Sequence, residues 1–372
     1  MAGLYIHIPF CKKACRYCDF HFSVSLNYKP EVIETIGIEL INRLSELKSS
    51  ISTLYFGGGT PSVLDSKELE YLMKIIYRER IKKNIEVTFE ANPDDLTVKY
   101  LINLLESGIN RLSIGIQSFN EKELVLLGRS HTVSQSYKAI ENAFASGFTN
   151  INADLIYGIP GMKTDQLEKN LSILTGYHIN HISAYHLTYE AGTVLDHWRK
   201  KGRITPLEED QSFEQYMLVR SFLVEKGYEH YEISNFAKPG MISEHNSAYW
   251  KQVEYLGVGP SAHSYSGYTR RWNISSNKKY VENIKNGTPY FESEVLTPDN
   301  IYNEYLMTSF RTSRGIDTEY IKAKYGEERS LSLLNKMEKF LERGLIKNDN
   351  TIYTLSPEGW FLSDHIISGL FV

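Results

Sequence analysis

The 372 residues are 42% apolar and 23% charged, and the formal net charge is −4. This length allows more than one domain, because a typical domain has roughly 100 to 200 residues. The slightly acidic balance gives no electrostatic footprint for nucleic acid or anionic lipid, so neither is the expected partner.

The N-terminus, MAGLYIHIPFCKKACRYC, does not show the order of basic region, apolar core and small-residue cleavage site that marks a secretory signal. No apolar run approaches the roughly 20 residues that span a bilayer. We therefore expect a cytoplasmic protein without membrane insertion. In a reducing compartment, three cysteines within eight residues favour a soft metal site over disulfides.

Up to about Glu190, short apolar runs alternate with amphipathic stretches, which is typical of repeated βα units on a parallel sheet. Runs rich in β-branched and aromatic residues predict strands at 4–8, 53–57, 85–90, 111–117, 152–158 and 181–187. Apolar residues three and four positions apart predict helices at 32–44, 68–79, 98–107, 134–146 and 166–176. Because right-handed crossovers curl successive parallel strands the same way, this order predicts a partial (β/α)6 TIM-like barrel that is open on one side.

The unusual polar residues of this region fall at one end of the predicted strands. HIPFC follows the first strand and GGGTP the second, whereas Glu90, Gln117 and Asp154 belong to the third, fourth and fifth. In such barrels, sites assemble at the C-terminal ends of the strands. The sequence therefore predicts a site at this end.

Beyond residue 191 the pattern becomes irregular, with one predicted helix at 210–227 and an aromatic-rich stretch from Tyr228 to Trp272. We interpret residues 192–295 as an extension that packs on a barrel formed by residues 1–191.

Residues 296–372 form a predicted C-terminal α+β unit. Helices are predicted at 299–310, 317–326 and 331–344, followed by strands at 345–348 and 351–356 and a final helix. This order resembles a winged helix. The same fold serves as a protein-binding or lid module, and its candidate recognition helix near 332–343 has mixed charge, so nucleic-acid binding is not expected.

Cys11, Cys15 and Cys18 form a C-x3-C-x2-C pattern directly after the first strand. Three thiolates hold three irons of a 4Fe-4S cubane and leave one iron open to an external ligand, unlike the four cysteines of an electron-transfer cluster. The alternative is a zinc site, which needs a fourth ligand such as His7 or His21. The spacing resembles the radical S-adenosylmethionine (SAM) superfamily, in which SAM is the ligand of the open iron.

The resemblance also implies SAM contacts. It places Tyr17 beside the adenine, and it gives the glycine-rich turn at Gly58, Gly59 and Thr60 the methionyl amino group. It further implies contacts from Tyr5, Glu90, Gln117, Arg129 and Asp154, with the carboxylates and amides on the ribose hydroxyls and amino group, and Arg129 on the carboxylate. Taken singly, the glycine run is an ordinary strand-to-helix turn, and the polar residues are ordinary strand ends or surface ion pairs.

Motifs along nearly the whole chain resemble the oxygen-independent coproporphyrinogen oxidase group, and most closely its HemW-type haem chaperones. They are YIHIPFCKKACRYCDF, YFGGGTPS, FEANP, SIGIQSFN, LGRSH, NADLIYGIPG and HNSAYW. The oxidases carry a further cysteine where this chain has Phe20, and they have a longer segment before the first strand. Both differences favour the chaperones.

His245, Asn246, Tyr249 and Trp250 form an HNxxYW pattern, which the resemblance associates with haem binding. A neutral imidazole is a common axial ligand of haem iron, and aromatic rings offer flat apolar faces to a porphyrin. If the segment is helical, His245 and Tyr249 share a face. A structural histidine beside core aromatics is the alternative, and His263 is a second candidate ligand.

The resemblance implies a chaperone that takes haem and passes it to an apo-haemoprotein of respiration, with the cluster and SAM supporting structure, homodimer formation or regulation. The alternative is an enzyme that cleaves SAM reductively and oxidatively decarboxylates porphyrinogen propionates. A third reading, a radical enzyme that modifies nucleic acid, predicts salt-dependent binding that the weak charge does not encourage.

Overall fold

The computed structural model describes residues 1–78 and 81–372, and it confirms the mixed α/β fold. All the strands predicted before residue 190 are present, and the strand at 111–117 has its predicted bounds. The last residue of the helix predicted at 68–79 lies outside the described residues. The elements of this part are β1 (Ala2–Ile8), α1 (Lys29–Arg43), β2 (Ile51–Gly58), α2 (Ser66–Ile76), β3 (Ile81–Ala91), α3 (Val98–Glu106), β4 (Arg111–Gln117), α4 (Glu121–Leu127), α5 (Val133–Ala145), β5 (Ile151–Tyr157), α6 (Thr164–Gly176) and β6 (His181–His186).

Local sequence signals fix where several helices begin. Asp65 caps α2 in a capping box with Glu68, and Thr132 caps α5 in the same way with Gln135. Each box satisfies backbone N–H groups that the first turn of a helix leaves without partners. The helices therefore start immediately after the loops that follow the strands.

An extension of short elements follows the βα units. It consists of α7 (Val194–Lys200), α8 (Glu209–Glu225), β7 (Glu229–Glu232), β8 (Asn235–Ala237), α9 (Glu244–Trp250), β9 (Tyr255–Val258), β10 (His263–Tyr265), β11 (Thr269–Asn273), α10 (Asn277–Asn286) and β12 (Phe291–Val295).

One open sheet joins all twelve strands in the order β12-β11-β10-β9-β1-β2-β3-β4-β5-β6-β8-β7. Strands β1 to β6 pair in chain order and are all parallel, and β9 is parallel to β1. The C-terminal ends of seven strands therefore meet at one edge. The open sheet of consecutive parallel strands confirms the predicted fold class.

A buried charge cluster ties the extension to α1. Glu39 accepts hydrogen bonds from Arg43 Nη1 at 2.8 Å, from Tyr280 Oη at 2.6 Å and from Asn273 Nδ2 at 2.8 Å. The backbone N–H of Gly259 also donates to it, at 2.8 Å. Because the buried carboxylate has this many donors, its burial is compensated.

The C-terminal unit contains α11 (Pro298–Phe310), β13 (Ile316–Asp317), α12 (Thr318–Tyr325), α13 (Glu327–Glu342), β14 (Ile346–Asp349), β15 (Ile352–Leu355), α14 (Pro357–Phe361) and α15 (Ser363–Ser368). Its three strands form an antiparallel sheet in the order β13-β15-β14. The predicted α+β character is confirmed, and its likeness to a winged helix stays a prediction. Over residues 1–78 and 81–372, no helix combines the length and the hydropathy that a membrane crossing requires.

Main-chain bonds and aromatic rings fasten this unit to the extension. The Ile233 N–H donates to the Arg311 carbonyl at 3.0 Å, and the Ser313 N–H donates to the Tyr231 carbonyl at 2.9 Å. The ring of His230 stacks on Phe236 and meets Trp360 edge-on at 4.1 Å. The two parts thus share a packed interface.

Candidate functional site

The three cysteines lie on a loop that leaves β1 at the C-terminal edge of the sheet. The Cys11 N–H donates to the Ser23 carbonyl at 3.0 Å, which closes the loop on itself. The Arg16 N–H donates to the Leu127 carbonyl at 2.9 Å and fastens the loop to α4. Cys11 is buried, whereas Cys15 and Cys18 are half-buried and free. The loop therefore gathers all three thiols beside the strand ends.

Two of the thiols receive hydrogen bonds from the surrounding barrel. Thr60 Oγ1 donates to Cys11 Sγ at 3.2 Å, and Arg129 Nη1 donates to Cys15 Sγ at 3.2 Å. Burial raises the pKa of the Cys11 and Cys18 thiols to about 11. Because metal ligands must be thiolates, metal binding here has to displace protons.

The histidines that a zinc site would need are engaged elsewhere. His7 Nδ1 lies 3.0 Å from Tyr5 Oη, and His7 Nε2 lies 3.1 Å from the His21 carbonyl oxygen. The His21 ring hydrogen-bonds the Asn277 side chain. Among the described residues, no group of three or more His, Cys, Asp or Glu side chains is arranged to hold a single metal ion. In this conformation, His7 and His21 are therefore both held by other partners.

The glycine turn after β2 lies against the start of the cysteine loop. Gly58 has φ +108°, and a Cβ there would lie 2.6 Å from the His7 ring. At Gly59, a Cβ would lie 2.7 Å from the Phe10 carbonyl oxygen. Both positions therefore require glycine, because the turn packs closely against the end of β1 and the start of the cysteine loop.

Glu90 lies next to the last residue of β3, within hydrogen-bonding distance of this turn. Its carboxylate accepts from Tyr55 Oη at 2.7 Å and from the Gly58 N–H at 3.2 Å. Burial raises the pKa of Glu90 to about 7, and the nearby Asp154 acts in the same direction. The carboxylate therefore titrates close to neutral pH.

Arg129 is the centre of a second set of hydrogen bonds in the site. Besides Cys15, its guanidinium donates to Tyr17 Oη at 3.4 Å, to Asn92 Oδ1 and to the Gly115 carbonyl. Within the described part of the chain, Arg129 Nε and Gln117 Oε1 are buried without a hydrogen-bond partner. Gln117 also has φ +64°, an uncommon conformation for a residue with a Cβ. These polar atoms suit a bound ligand.

Asp154 lies deeper, in β5. It accepts from Asn152 Nδ2 at 2.8 Å, and Ser113 Oγ lies 3.5 Å from both its oxygens. Burial raises the pKa of its carboxyl.

The predicted SAM residues are thus brought together around the thiols. Three free thiols suit a 4Fe-4S cluster, and the unpartnered polar atoms of Arg129 and Gln117 suit a polar ligand such as SAM. The members are Tyr5, Tyr17, Gly58, Gly59, Thr60, Glu90, Gln117, Arg129 and Asp154.

The HNxxYW segment is helical and forms all of α9 except its first residue, Glu244. The helix brings His245 and Tyr249 to the same face, where His245 Nε2 lies 3.0 Å from Tyr249 Oη. His245 Nδ1 lies 2.8 Å from Thr53 Oγ1, and its ring stacks on Tyr55 at 5.0 Å between centroids. The side chain is 2% exposed, and burial lowers its pKa to about 3. In this conformation, both ring nitrogens are therefore occupied.

Of the other predicted haem residues, Asn246 and Trp250 belong to α9, whereas His263 belongs to β10. Asn246 and Trp250 are half-buried, and the Trp250 carbonyl accepts from Arg314 of the C-terminal unit at 3.4 Å. His263 lies on β10, is exposed, and stacks on Trp272.

Sequence reasoning missed several residues that support the site. Thr53, Tyr55, Glu86 and Arg111 lie inside strands, where their types are ordinary, and Asn92 directly follows β3. The available signal is that polar side chains interrupt parallel strands that should be apolar on both faces.

Comparison with known proteins places the chain. Residues 5–174 match the model of the radical SAM superfamily, and residues 296–362 match the HemN C-terminal domain. The heme chaperone HemW of Bacillus subtilis is 34% identical, with 98% of each chain covered. The heme chaperone HemW of Mycobacterium tuberculosis is 31% identical, over 99% of this chain and 94% of that protein.

A solved structure shows the same fold. Coproporphyrinogen III oxidase (HemN) from Escherichia coli superposes with a TM-score of 0.86 at 23% identity, covering 100% of this chain and 90% of that chain. With its near full-length similarity to the heme chaperones, this chain belongs to the HemW family of the radical SAM superfamily.

Proposed function

We propose that this protein is a haem chaperone that binds a 4Fe-4S cluster and SAM, takes up haem and delivers it to an apo-haemoprotein of respiration. Its similarity to the heme chaperones of Bacillus subtilis and Mycobacterium tuberculosis, which extends over nearly the full length of those proteins, supports the chaperone role. Phe20 supports it as well, because a phenylalanine cannot supply the further thiolate of the oxidases, and its side chain is 67% exposed.

Cys11, Cys15 and Cys18 would hold the cluster. Bound together, a cluster of this kind and SAM supply one-electron chemistry. The protein's own side chains would orient the cluster and SAM and shield them. Thr60 and Arg129 donate to the ligand sulfurs, and Glu90 offers a buried carboxylate to hydroxyl or amino donors.

The contacts of Tyr55 are the observation that supports the proposal most directly. Its hydroxyl donates to Glu90 of the proposed SAM site, and its ring stacks on His245 of the proposed haem site. The two sites are therefore neighbours across one side chain of β2.

The test is haem titration of anaerobically reconstituted protein, followed in the Soret region. We expect His245→Ala to weaken haem binding while iron and sulfide content stay unchanged. His263→Ala is the matched control and should titrate as the wild type does. An unchanged titration for His245→Ala would remove His245 from the haem site, and loss confined to the His263 variant would assign the ligand there.

An oxygen-independent coproporphyrinogen oxidase is the second candidate, because the whole set of SAM residues is gathered at the strand ends. Anaerobic incubation with coproporphyrinogen III, SAM and a reductant separates the two candidates. The chaperone proposal expects no vinyl product, and its appearance would establish the oxidase instead.

A further inference from the structure

The N-terminus of α9 is held by a single carboxylate from inside the barrel. Glu86 of β3 accepts from Ser243 Oγ at 3.1 Å, from the Glu244 N–H at 2.9 Å and from the His245 N–H at 2.9 Å. Ser243 also caps the helix, since its Oγ accepts from the Asn246 N–H at 3.3 Å. Moving Glu86 from this position would remove three hydrogen bonds from the start of the helix that carries His245.

A second partner for Glu86 lies beside it. Arg111 of β4 is 1% exposed, and its Nε is 3.8 Å from Glu86 Oε2, too far for a hydrogen bond. Within residues 1–78 and 81–372, Arg111 Nε and Nη2 have no hydrogen-bond partner. Two unpaired donors on a buried guanidinium are costly, and together they form the edge that binds a carboxylate with two parallel hydrogen bonds.

With α9 docked, His245 is not available to iron. Thr53 and Tyr249 occupy its ring nitrogens, and Tyr55 covers one face of the ring. An axial bond needs a free nitrogen, and a porphyrin needs space on the side from which the iron approaches. Movement of α9 away from β2 would free His245 Nδ1 from Thr53 and uncover the ring face that Tyr55 covers, whereas Tyr249 lies on the same helix and moves with it.

We propose that Glu86 and Arg111 form a latch that controls haem access to His245. In the closed state, Glu86 holds α9 and His245 is covered. In the open state, Glu86 turns to Arg111 in a two-bond ion pair, α9 is released and His245 is free to bind haem. Glu86 and Arg111 are then positioning residues, and the inference rests on the proposed role of His245.

The test uses hydrogen exchange of α9 amides in the full-length, cluster-reconstituted protein without haem. Arg111→Lys keeps the charge but removes the two-bond edge, so it weakens the open state and should slow exchange in α9. Ser243→Ala removes a closed-state contact and should speed that exchange. We expect changes of roughly tenfold in each direction, which corresponds to about 1.4 kcal/mol.

A merely structural role predicts faster exchange in both variants, and that result overturns the latch. Ser276→Ala is the matched control, because it removes the same kind of cap from α10, and α9 exchange should stay as in the wild type.

Stopped-flow mixing with haem provides the second readout. Ser243→Ala should accelerate haem association, and Arg111→Lys should slow it by a similar factor. If Arg111→Lys does not fold, slower or unchanged association in the Ser243 variant still contradicts the latch. If the wild type shows no haem binding that depends on His245, the proposed function fails, whereas the exchange measurements still decide the latch.

Discussion

Tyr55 lies between the proposed SAM site and the proposed haem site. It occupies an ordinary strand position, and tyrosine is common in strands, so nothing in the sequence distinguishes it. Its role depends on the registers of β2 and β3 and on the docking of α9, which brings His245 onto the ring. By contrast, the cysteines and glycines of the site could be identified from sequence, because their chemistry depends on spacing along the chain.

Glu90 predicts a pH dependence for SAM binding. Burial raises its pKa to about 7, so in the free protein it is largely protonated at pH 6 and ionised at pH 8. SAM donors favour the carboxylate, and its binding should therefore strengthen about tenfold from pH 6 to pH 8. Anaerobic calorimetry at three pH values measures this.

Two variants check the assignment. Glu90→Gln should bind SAM with a flatter pH profile. Tyr55→Phe removes a donor that favours the Glu90 carboxylate, and it should move the profile to higher pH. A wild-type slope that survives in Glu90→Gln contradicts the assignment.

The proposed role of Cys15 as a cluster ligand predicts that the cluster is lost when this cysteine is replaced. Cys15→Ala leaves two thiols, which cannot hold three irons, so the broad visible absorbance of the reconstituted protein should disappear almost completely. Analysis of iron and sulfide on oxygen-free material confirms the loss. If absorbance survives, another set of ligands holds the iron.

The elements divide into those that sequence periodicity reveals and those that it does not. The βα units have long apolar runs, and their strands and helices appear close to the predicted positions. The short strands from β7 to β12 have three to five residues and mixed exposure, and they are too short for a period to show. α4, at seven residues, was missed for the same reason.

His230 predicts acid sensitivity at the contact between β7 and α14. Burial between Phe236 and Trp360 lowers its pKa to about 3. A histidine with a lowered folded-state pKa stabilises the fold less as pH falls below about 6.5. At pH 5 the loss amounts to up to about 2 kcal/mol relative to pH 8.

His230→Phe keeps an aromatic ring in the stack and removes this proton. We expect its free energy of unfolding to fall less steeply than that of the wild type between pH 7 and pH 5. Urea unfolding at each pH gives the comparison, and parallel curves for the two proteins would exclude His230 as a source of the acid sensitivity.

On the scale of the whole molecule, the C-terminal unit and the extension depend on each other. Phe213 and Tyr216 of α8 pack on Phe361, and a backbone hydrogen bond joins Ile233 to Arg311. These contacts could not be predicted, because they join segments more than 70 residues apart along the chain. The division of the chain near residue 295 stays a prediction.

Ending the chain at residue 295 should expose the aromatic face of α8 and β7. We expect the shortened protein to self-associate, since a large exposed apolar patch promotes aggregation. Size-exclusion chromatography with a dye that reports exposed apolar surface measures this. A stable, monomeric 1–295 fragment would show that the interface is dispensable.

The open sheet ends in β12, a strand whose chemistry discourages further pairing. Glu292 and Glu294 are exposed along it, and β11 already occupies its other side. If the same edges of two molecules met, four carboxylates would be crowded along one seam, and like charges across paired strands are destabilising. Pairing between the β12 edges of two copies is therefore disfavoured by charge.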